Sequence, residues 1–147
     1  VRVHHIGSTA VPGARAKPVI DILLEVASLR AMDAKAAGLE ALGYEAKGEF
    51  GLPGRRYFRL DDAAGTRTHQ VHAYEAGAPD VRRHVAFRDY LRAHPSVAEE
   101  YGALKERLVR VHADDSKAYV SGKDAFVKEY ERRALRWSGD GSAVATP

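Results

Sequence analysis

Short apolar runs separated by turn residues fill the first half of the chain and predict a β-sheet. Residues 1–6 are rich in β-branched side chains and end at Gly7-Ser8, and residues 19–26 are almost continuously apolar, as in a strand covered on both faces. Three further runs (44–47, 56–60 and 68–74) are separated by Gly, Pro and Asp clusters that are typical of turns. Between the second and third runs, helical spacing of apolar residues predicts one helix, which Ser28 opens and Gly43 ends.

After Pro79 the apolar residues recur at helical spacing, which predicts three more helices. The first covers 80–93, Ser96 and Glu99 form a capping box that opens the second, and the third begins near residue 115. Residues 138–147 are small and polar and are expected to form a disordered tail, which leaves one domain at 1–137. The predicted fold is therefore α+β: a mixed sheet of about five strands packed with helices, followed by three C-terminal helices.

The composition is that of a globular domain with a mild positive charge. Of the 147 residues, 45% are hydrophobic and 29% are charged, the formal net charge is +3, and the absence of Cys excludes disulfides and thiolate nucleophiles. This charge permits an anionic ligand, but no interleaved basic and aromatic pattern indicates nucleic-acid binding. No apolar run approaches the length of a membrane span, and we expect a cytoplasmic protein. The chain begins without Met and within a strand, so we expect further residues upstream, and its oligomeric state is left open.

The Gly7-Ser8 turn after the first strand is a candidate phosphate site. Glycine lets a phosphate approach the backbone closely, and the serine hydroxyl adds a hydrogen-bond donor. Ser8, Thr9, Arg15 and Lys17 are four potential donors within ten residues. The same residues are equally compatible with a polar turn that binds no ligand.

Asp21 is the one charge at the start of the second strand. A carboxylate buried there is costly unless it is paired or binds a metal, so Asp21 is a candidate Mg²⁺ ligand and catalytic residue. The alternative is a structural ion pair with Lys17 or Arg56. A partner carboxylate is expected two residues earlier, where Val19 stands, and Glu25 on the same face is about 13 Å away at roughly 3.3 Å per residue. Asp21 therefore lacks the second carboxylate of a two-metal site.

Two histidines and a group of arginines lie in the later strands. On a regular strand His69 and His72 point to opposite faces, so we expect one of them in a cleft, as a phosphate donor or proton-transfer group, and the other packed in the sheet. Both are equally compatible with ordinary residues of the sheet. Arg56 and Arg67, in and just beyond the predicted hairpin, are candidates for holding a triphosphate, although such arginines more often form a solvated face. Three tyrosines at helical spacing are interpreted as core residues: Tyr101, Tyr119 and Tyr130.

Several motifs of the chain resemble the GrpB family of bacterial proteins. Residues 5–13 read HIGSTAVPG and residues 16–22 read AKPVIDI, followed by RTHQVH at 67–72 and FRDYLR at 87–92. Further matches lie on the predicted helices, at Tyr101, Leu104, Lys105, Tyr119, Lys123 and Phe126. The resemblance covers about residues 1–133 in consistent order.

This resemblance implies a nucleotidyltransferase-like fold, in which a Gly-Ser turn precedes a strand that bears metal-binding carboxylates. Gly7 and Ser8 match the Gly-Ser pair. Asp21 matches the second carboxylate of the strand, whereas Val19 occupies the position of the first. Family members usually have a helix before the first strand, and without it one edge of the sheet would be uncovered. Related domains occur fused to dephospho-coenzyme A kinase, an association that suggests a nucleotide or coenzyme A ligand.

Two functional hypotheses follow, and a third is weaker. In the first, a small nucleotidyltransferase-like enzyme binds a nucleoside triphosphate, holds Mg²⁺ at Asp21 and uses His69 or His72 as acid/base or ligand. The triphosphate would be held by the turn and by basic side chains: Gly7, Ser8, Thr9, Arg15, Lys17, Arg56 and Arg67. In the second, the domain is a non-catalytic module for a nucleotide, coenzyme A or another phosphate-bearing small molecule. The third is a histidine metal site without a nucleotide. If the first hypothesis holds, Ser8, Asp21 and one of His69 and His72 should line one open cleft.

Overall fold

The five predicted strands form one sheet, and the predicted helices follow in the expected order. The computed structural model describes residues 1–15 and 17–139. In chain order the elements are β1 (Arg2–Ile6), a 3₁₀ turn (Ser8–Ala10), β2 (Ile20–Val26), α1 (Leu29–Ala41), β3 (Glu45–Ala46), β4 (Arg56–Asp61), β5 (Arg67–Glu75), α2 (Pro79–Ala93), α3 (Pro95–Val111) and α4 (Ser116–Gly139). The α+β fold with a mixed five-stranded sheet and three C-terminal helices is confirmed.

The sheet has the strand order β1-β2-β5-β4-β3. Strands β2 and β5 run parallel, whereas the other neighbouring pairs are antiparallel. The register places Asp21 beside Gln70 and Leu23 beside His72. Because side chains alternate along a strand and paired residues share a face, Asp21, Gln70 and His72 all lie on one side of the sheet.

The two faces of the sheet carry different helices. Helix α1 covers one face, over a core made of Val26, Met32, Phe58, Val71 and Ala73. Helix α2 packs on the other face, where the buried residues are Ile6, Leu23, Tyr74 and Val81. Helices α3 and α4 extend this second layer through two further clusters around Tyr90 and Tyr101. The polar side chains of β2 and β5 therefore face the layer that contains the C-terminal helices.

Local sequence signals account for most helix ends. The Ser28 hydroxyl accepts a hydrogen bond from the amide of Ala31 at 3.1 Å, as an N-cap does, and Gly43 follows α1 with a φ of +97°. The capping box predicted at Ser96 and Glu99 for the start of α3 is wrong. Helix α3 begins at Pro95 with His94 before it, because proline already has a helical φ and needs no amide donor at that position.

Helix α4 continues through Gly139, two residues past the predicted end of the domain at 137. Near its end, Ala134 and Trp137 pack against Tyr90 of α2, which supports these last turns. The rest of the predicted tail, residues 140–147, lies outside the described residues. None of the helices in the described part combines the length and the apolar character that crossing a membrane requires.

Candidate functional site

An open cleft of about 590 Å³ lies beside the Gly7-Ser8 turn. Asp21 of β2 lines it from the sheet, and the segment between β1 and β2 contributes Arg15 and Lys17. The facing wall belongs to α3 and α4 and consists of Tyr101, Lys105, Tyr119 and Lys123. The structure therefore brings Ser8 and Asp21 to one cleft, as the sequence predicts.

Lys105 reaches from α3 to the Gly7-Ser8 turn. Its Nζ donates to Ser8 Oγ at 2.7 Å and to the carbonyl of Arg15 at 3.0 Å, and it lies 4.6 Å from the centre of the Tyr101 ring. Partial burial, together with the positive charges of Lys123 and Lys17, lowers the pKa of Lys105 to about 8. The ammonium is thus held where its charge is poorly compensated.

Two more lysines of the cleft lie beside one aromatic ring. The Nζ atoms of Lys17 and Lys123 lie 5.3 and 5.2 Å from the centre of the Tyr119 ring. Burial, followed by repulsion from Lys17, lowers the pKa of Lys123. Arg15 is neutralised by Glu106, with Nη1 donating at 2.7 Å to Oε2. Because this pair uses one of the two cleft carboxylates, the three lysines leave an excess of positive charge.

Asp21 is held by two donors from β5. Its Oδ1 accepts a hydrogen bond from Gln70 Nε2 at 3.0 Å and lies 3.4 Å from His72 Nε2. Gln70 is oriented in turn by the Tyr57 hydroxyl, which donates to Oε1 at 2.7 Å. The carboxylate therefore has a fixed orientation, with one oxygen directed to β5 and the other directed to the turn.

Gly7 makes this close approach possible. Its φ is +74°, and a β-carbon at this position would stand 2.7 Å from Asp21 Oδ2, closer than real contacts allow. Only glycine adopts this backbone conformation without strain and leaves room for the carboxylate. The Gly-Ser turn and the acid of β2 are thus packed against each other, and Asp21 is not ion-paired with Lys17 or Arg56 in the described part of the chain.

A second pocket of about 290 Å³ adjoins the cleft and contains His72. His72 Nδ1 lies 3.5 Å from Nη1 of Arg55, so the guanidinium favours the tautomer whose Nε2–H points to Asp21. The ring of His84 stacks on His72 at 6.0 Å. Burial, followed by the charge of Arg83, lowers the pKa of His84 to about 3, which keeps this imidazole neutral.

Three residues of the predicted site do not line the cleft, and one of them, His72, lies in the adjoining pocket. His69 lies on the α1 face, where it contacts the Thr68 hydroxyl and the edge of Tyr44. Arg56 forms a bidentate ion pair with Asp33 of α1, at 2.6 and 3.0 Å. The predictions that His69 and Arg56 belong to the cleft are corrected for the same reason. Side chains alternate along β4 and β5, so these two lie on the opposite face of the sheet from Asp21.

Arg67 and Thr9 both line the cleft, as predicted. Arg67 is exposed at its rim, with Nη1 3.4 Å from Gln70 Oε1. The Thr9 hydroxyl is already engaged, because His5 Nε2 lies 2.8 Å from it and the Val19 carbonyl 3.5 Å. Of the two hydroxyls of the turn, Ser8 is therefore the one that meets a lysine of the cleft.

Sequence reasoning missed the helical half of the site. Lys105 and Lys123 match the family pattern but were not assigned to the cleft, and Tyr101 and Tyr119 were interpreted as core residues. Tyr101 is indeed 8% exposed and packs in the core, yet its ring also forms part of the cleft wall. The available signal was the pairing of a lysine four residues after a tyrosine on each of two helices, which places both on one helix face.

Metal-binding capacity at the site is limited. Within residues 1–15 and 17–139, no group of three or more His, Cys, Asp or Glu side chains is arranged to hold a metal ion. Asp21 offers one carboxylate, and Val19 lines the cleft where a second would be expected. A single carboxylate suits a Mg²⁺ ion whose remaining ligands are substrate phosphates and water.

The fold and the cleft define an α+β domain with a lysine-rich site between its sheet and its C-terminal helices. The chain belongs to the GrpB family, described as GrpB protein, whose pattern matches residues 1–133. It is 48% identical to the UPF0157 protein YqkA of Bacillus subtilis, over 93% of this chain and 39% of that protein. The crystal structure of conserved protein GrpB from Enterococcus faecalis superposes with a TM-score of 0.85 at 45% identity, covering 92% of this chain and 81% of that one.

A protein named for an activity is also related. The dephospho-CoA kinase of Mycobacterium leprae is 32% identical over 94% of this chain, which corresponds to 40% of the kinase. The chain thus spans about two fifths of the length of both this kinase and YqkA.

Proposed function

We propose that the cleft binds a nucleoside triphosphate or a related small molecule with a chain of phosphates. The observation that carries this proposal is the convergence of Lys17, Lys105 and Lys123 on one open cleft beside the Ser8 hydroxyl. Two of these ammoniums have lowered pKa values because they are partly buried and repel one another. A bound polyanion would remove that repulsion, so the charge arrangement favours phosphate binding.

The size and lining of the cleft support a small molecule as the ligand. A volume of about 590 Å³ lies within the usual range of about 300–1,000 Å³ for such sites. The rings of Tyr101 and Tyr119 provide apolar walls, while Arg67 adds a cation at the rim. This is a concave basic site of limited extent, unlike the long basic surface that typically follows a nucleic-acid backbone.

A second candidate function is nucleotidyl transfer with Mg²⁺, and the position of Asp21 favours it. Its Oδ2 is directed to the Gly-Ser turn, which would hold the triphosphate in a nucleotidyltransferase-like site. Asp21 would hold the ion, which would supply charge stabilisation at the phosphates. Lys17 and Lys123 would stabilise the leaving pyrophosphate, and His72, fixed by Arg55, would hold the Asp21 carboxylate in place.

The kinase relative indicates which ligands to compare. Coenzyme A and its precursor carry phosphates next to a nucleoside, so both satisfy the chemistry of the cleft. A binding module for either needs no second carboxylate, and Val19 is compatible with that role.

Calorimetric titration tests the binding proposal. Adenosine triphosphate, coenzyme A and inorganic triphosphate are titrated into the protein with and without Mg²⁺. We expect saturable 1:1 binding of at least one of them, weakened about tenfold or more by Lys123→Ala, because a hydrogen bond to a charged group contributes about 1.5–3 kcal/mol. Lys117→Ala, an exposed lysine of α4 outside the cleft, is the matched control and should bind like the wild type.

Pyrophosphate release separates the two candidate functions. Release that Asp21→Asn abolishes supports nucleotidyl transfer, whereas binding without release across a broad set of acceptors supports the binding module. The absence of saturable binding by all three phosphate compounds contradicts both.

A further inference from the structure

Ser8 and Lys105 form a direct pair inside the cleft. The Nζ of Lys105 lies 2.7 Å from Ser8 Oγ, although the two residues are 97 positions apart in the chain. Ser8 follows Gly7, whose φ of +74° turns the chain sharply after β1 and directs the serine into the cleft. The pair is therefore produced by tertiary packing and does not result from neighbouring positions in one element.

The surroundings of Lys105 make its side chain lose a proton more readily than an ordinary surface lysine does. Burial is the largest cause, followed by the neighbouring cations Lys123 and Lys17, and Asp21 opposes them only in part. The remaining groups that face or adjoin the amine are the Arg15 carbonyl, the Tyr101 ring and the Arg15–Glu106 ion pair. Burial raises the pKa of the Tyr101 hydroxyl to about 12, so this phenol stays neutral and adds no negative charge.

We propose that Ser8 is a nucleophile towards the bound nucleoside triphosphate, with Lys105 as its general base. This inference rests on the proposed function, since it requires a triphosphate in the cleft. A serine becomes nucleophilic when an adjacent base takes its proton, and Lys105 is in hydrogen-bonding contact with the hydroxyl. The Thr9 hydroxyl also lies beside a base, because it contacts His5 Nε2 and the Val19 carbonyl, but it has no lysine partner in the described residues.

The transfer step balances without a further reactant. Ser8 Oγ attacks the α-phosphorus, and an Oγ–P bond forms while the bond from that phosphorus to the bridging oxygen of the β-phosphate breaks. The hydroxyl proton passes to Lys105 Nζ, and pyrophosphate leaves with the electron pair of the broken bond. The product is a phosphodiester between Ser8 and the nucleotide, so the first acceptor is the protein itself.

Intact-protein mass spectrometry with peptide mapping tests this step. The full chain is incubated with adenosine triphosphate and Mg²⁺, and the nucleotidyl adduct is expected on Ser8, with a rate that rises as the pH passes about 8. Lys105→Arg keeps the positive charge but cannot accept the proton, so labelling should fall by about 10²–10⁴-fold. Ser8→Ala should abolish the adduct, while Ser96→Ala, an exposed serine of α3, should label like the wild type.

Nucleotide binding is measured by calorimetry on the same samples. Binding without an adduct on Ser8 at any pH overturns this inference alone and leaves the Ser8–Lys105 contact as a phosphate-binding feature. Labelling of Lys105→Arg at the wild-type rate also overturns it. A failure to bind the nucleotide overturns the proposed function, and the inference with it.

Discussion

The carboxylate of Asp21 packs directly against the backbone of Gly7. A β-carbon at position 7 would lie 2.7 Å from Oδ2, and 3.3 Å from both Cβ and Cγ of the aspartate. The contact joins the turn that presents Ser8 to the acid of β2. A substitution at Gly7 therefore tests both the fold of the turn and the position of the acid.

Gly7→Ala should destabilise the protein by about 2–5 kcal/mol. A left-handed conformation costs a non-glycine residue about 1–2 kcal/mol, and the forced displacement of Asp21 adds a cost of about 1–3 kcal/mol. Gly13→Ala is the matched control, because Gly13 has a φ of +73° but nothing within 4 Å of the added carbon. Urea denaturation of both variants isolates the contact, and equal losses of stability would contradict a steric role for Asp21.

Lys105 gives the stability of the protein a defined pH dependence. Its pKa is about 8 in the folded chain against an ordinary value of 10.5, so between these values the unfolded chain binds more protons than the folded one. Stability of the wild type relative to Lys105→Met should therefore increase from pH 8 to pH 10.5 and should not change between pH 6 and pH 7. Urea denaturation at a series of pH values measures the difference, and a difference that decreases above pH 8 would contradict the environment assigned to Lys105.

Two of the three arginines predicted for the site, Arg67 and Arg56, should behave differently in ligand binding. Arg67→Ala is expected to weaken adenosine triphosphate binding by about two- to fivefold, since an exposed charge pair contributes up to about 1 kcal/mol. Arg56→Ala should leave the affinity within about twofold, because that guanidinium pairs with Asp33 on the other face. Titration calorimetry at one salt concentration compares them, and a larger effect at Arg56 would contradict the placement of the cleft.

Arg55 is expected to be a stabilising residue that also orients His72. It is 8% exposed and donates to the carbonyls of Glu49 and Phe50 at 3.2 and 2.8 Å, in addition to its contact with His72. Arg55→Met should reduce the free energy of unfolding by about 1–3 kcal/mol, because two partly buried hydrogen bonds to backbone carbonyls are lost. It should also change the imidazole ¹⁵N shifts of His72.

Arg59→Met is the matched control for this measurement. Its guanidinium pairs with the half-buried Asp61 two residues away, so the free energy of unfolding should remain close to that of the wild type. A loss of stability at Arg59 as large as that at Arg55 would contradict the role of the buried guanidinium.

The sheet side of the cleft could be predicted from the sequence because its signals are local. A glycine-serine pair ends β1, and a single acid stands at the start of an apolar strand, so their meeting requires only that the chain returns beside itself. Alternation along β5 also predicted that His69 and His72 diverge. Which of the two lies beside Asp21, in the pocket next to the cleft, depends on the side that the C-terminal helices cover, and the strand pattern alone does not contain this information.

The helical side depends on packing between distant elements. Lys105 and Lys123 reach the cleft because α3 and α4 cross the end of the sheet, and their spacing on each helix is equally typical of a solvated face. Tyr101 packs in the core and also lines the cleft, so its helical spacing, which predicts a core residue, does not reveal its second position. Arg56 is basic and lies in the predicted hairpin, which predicts a site residue. The alternation of side chains along β4 instead directs it to Asp33 on the other face of the sheet.

A crystal structure of the protein grown with a non-hydrolysable nucleoside triphosphate and Mg²⁺ tests the phosphate cleft most directly. The account predicts phosphate oxygens within hydrogen-bonding distance of Ser8 Oγ and of the Nζ atoms of Lys105 and Lys123. Density for the nucleotide elsewhere on the surface, with these ammoniums facing only solvent and one another, would contradict it.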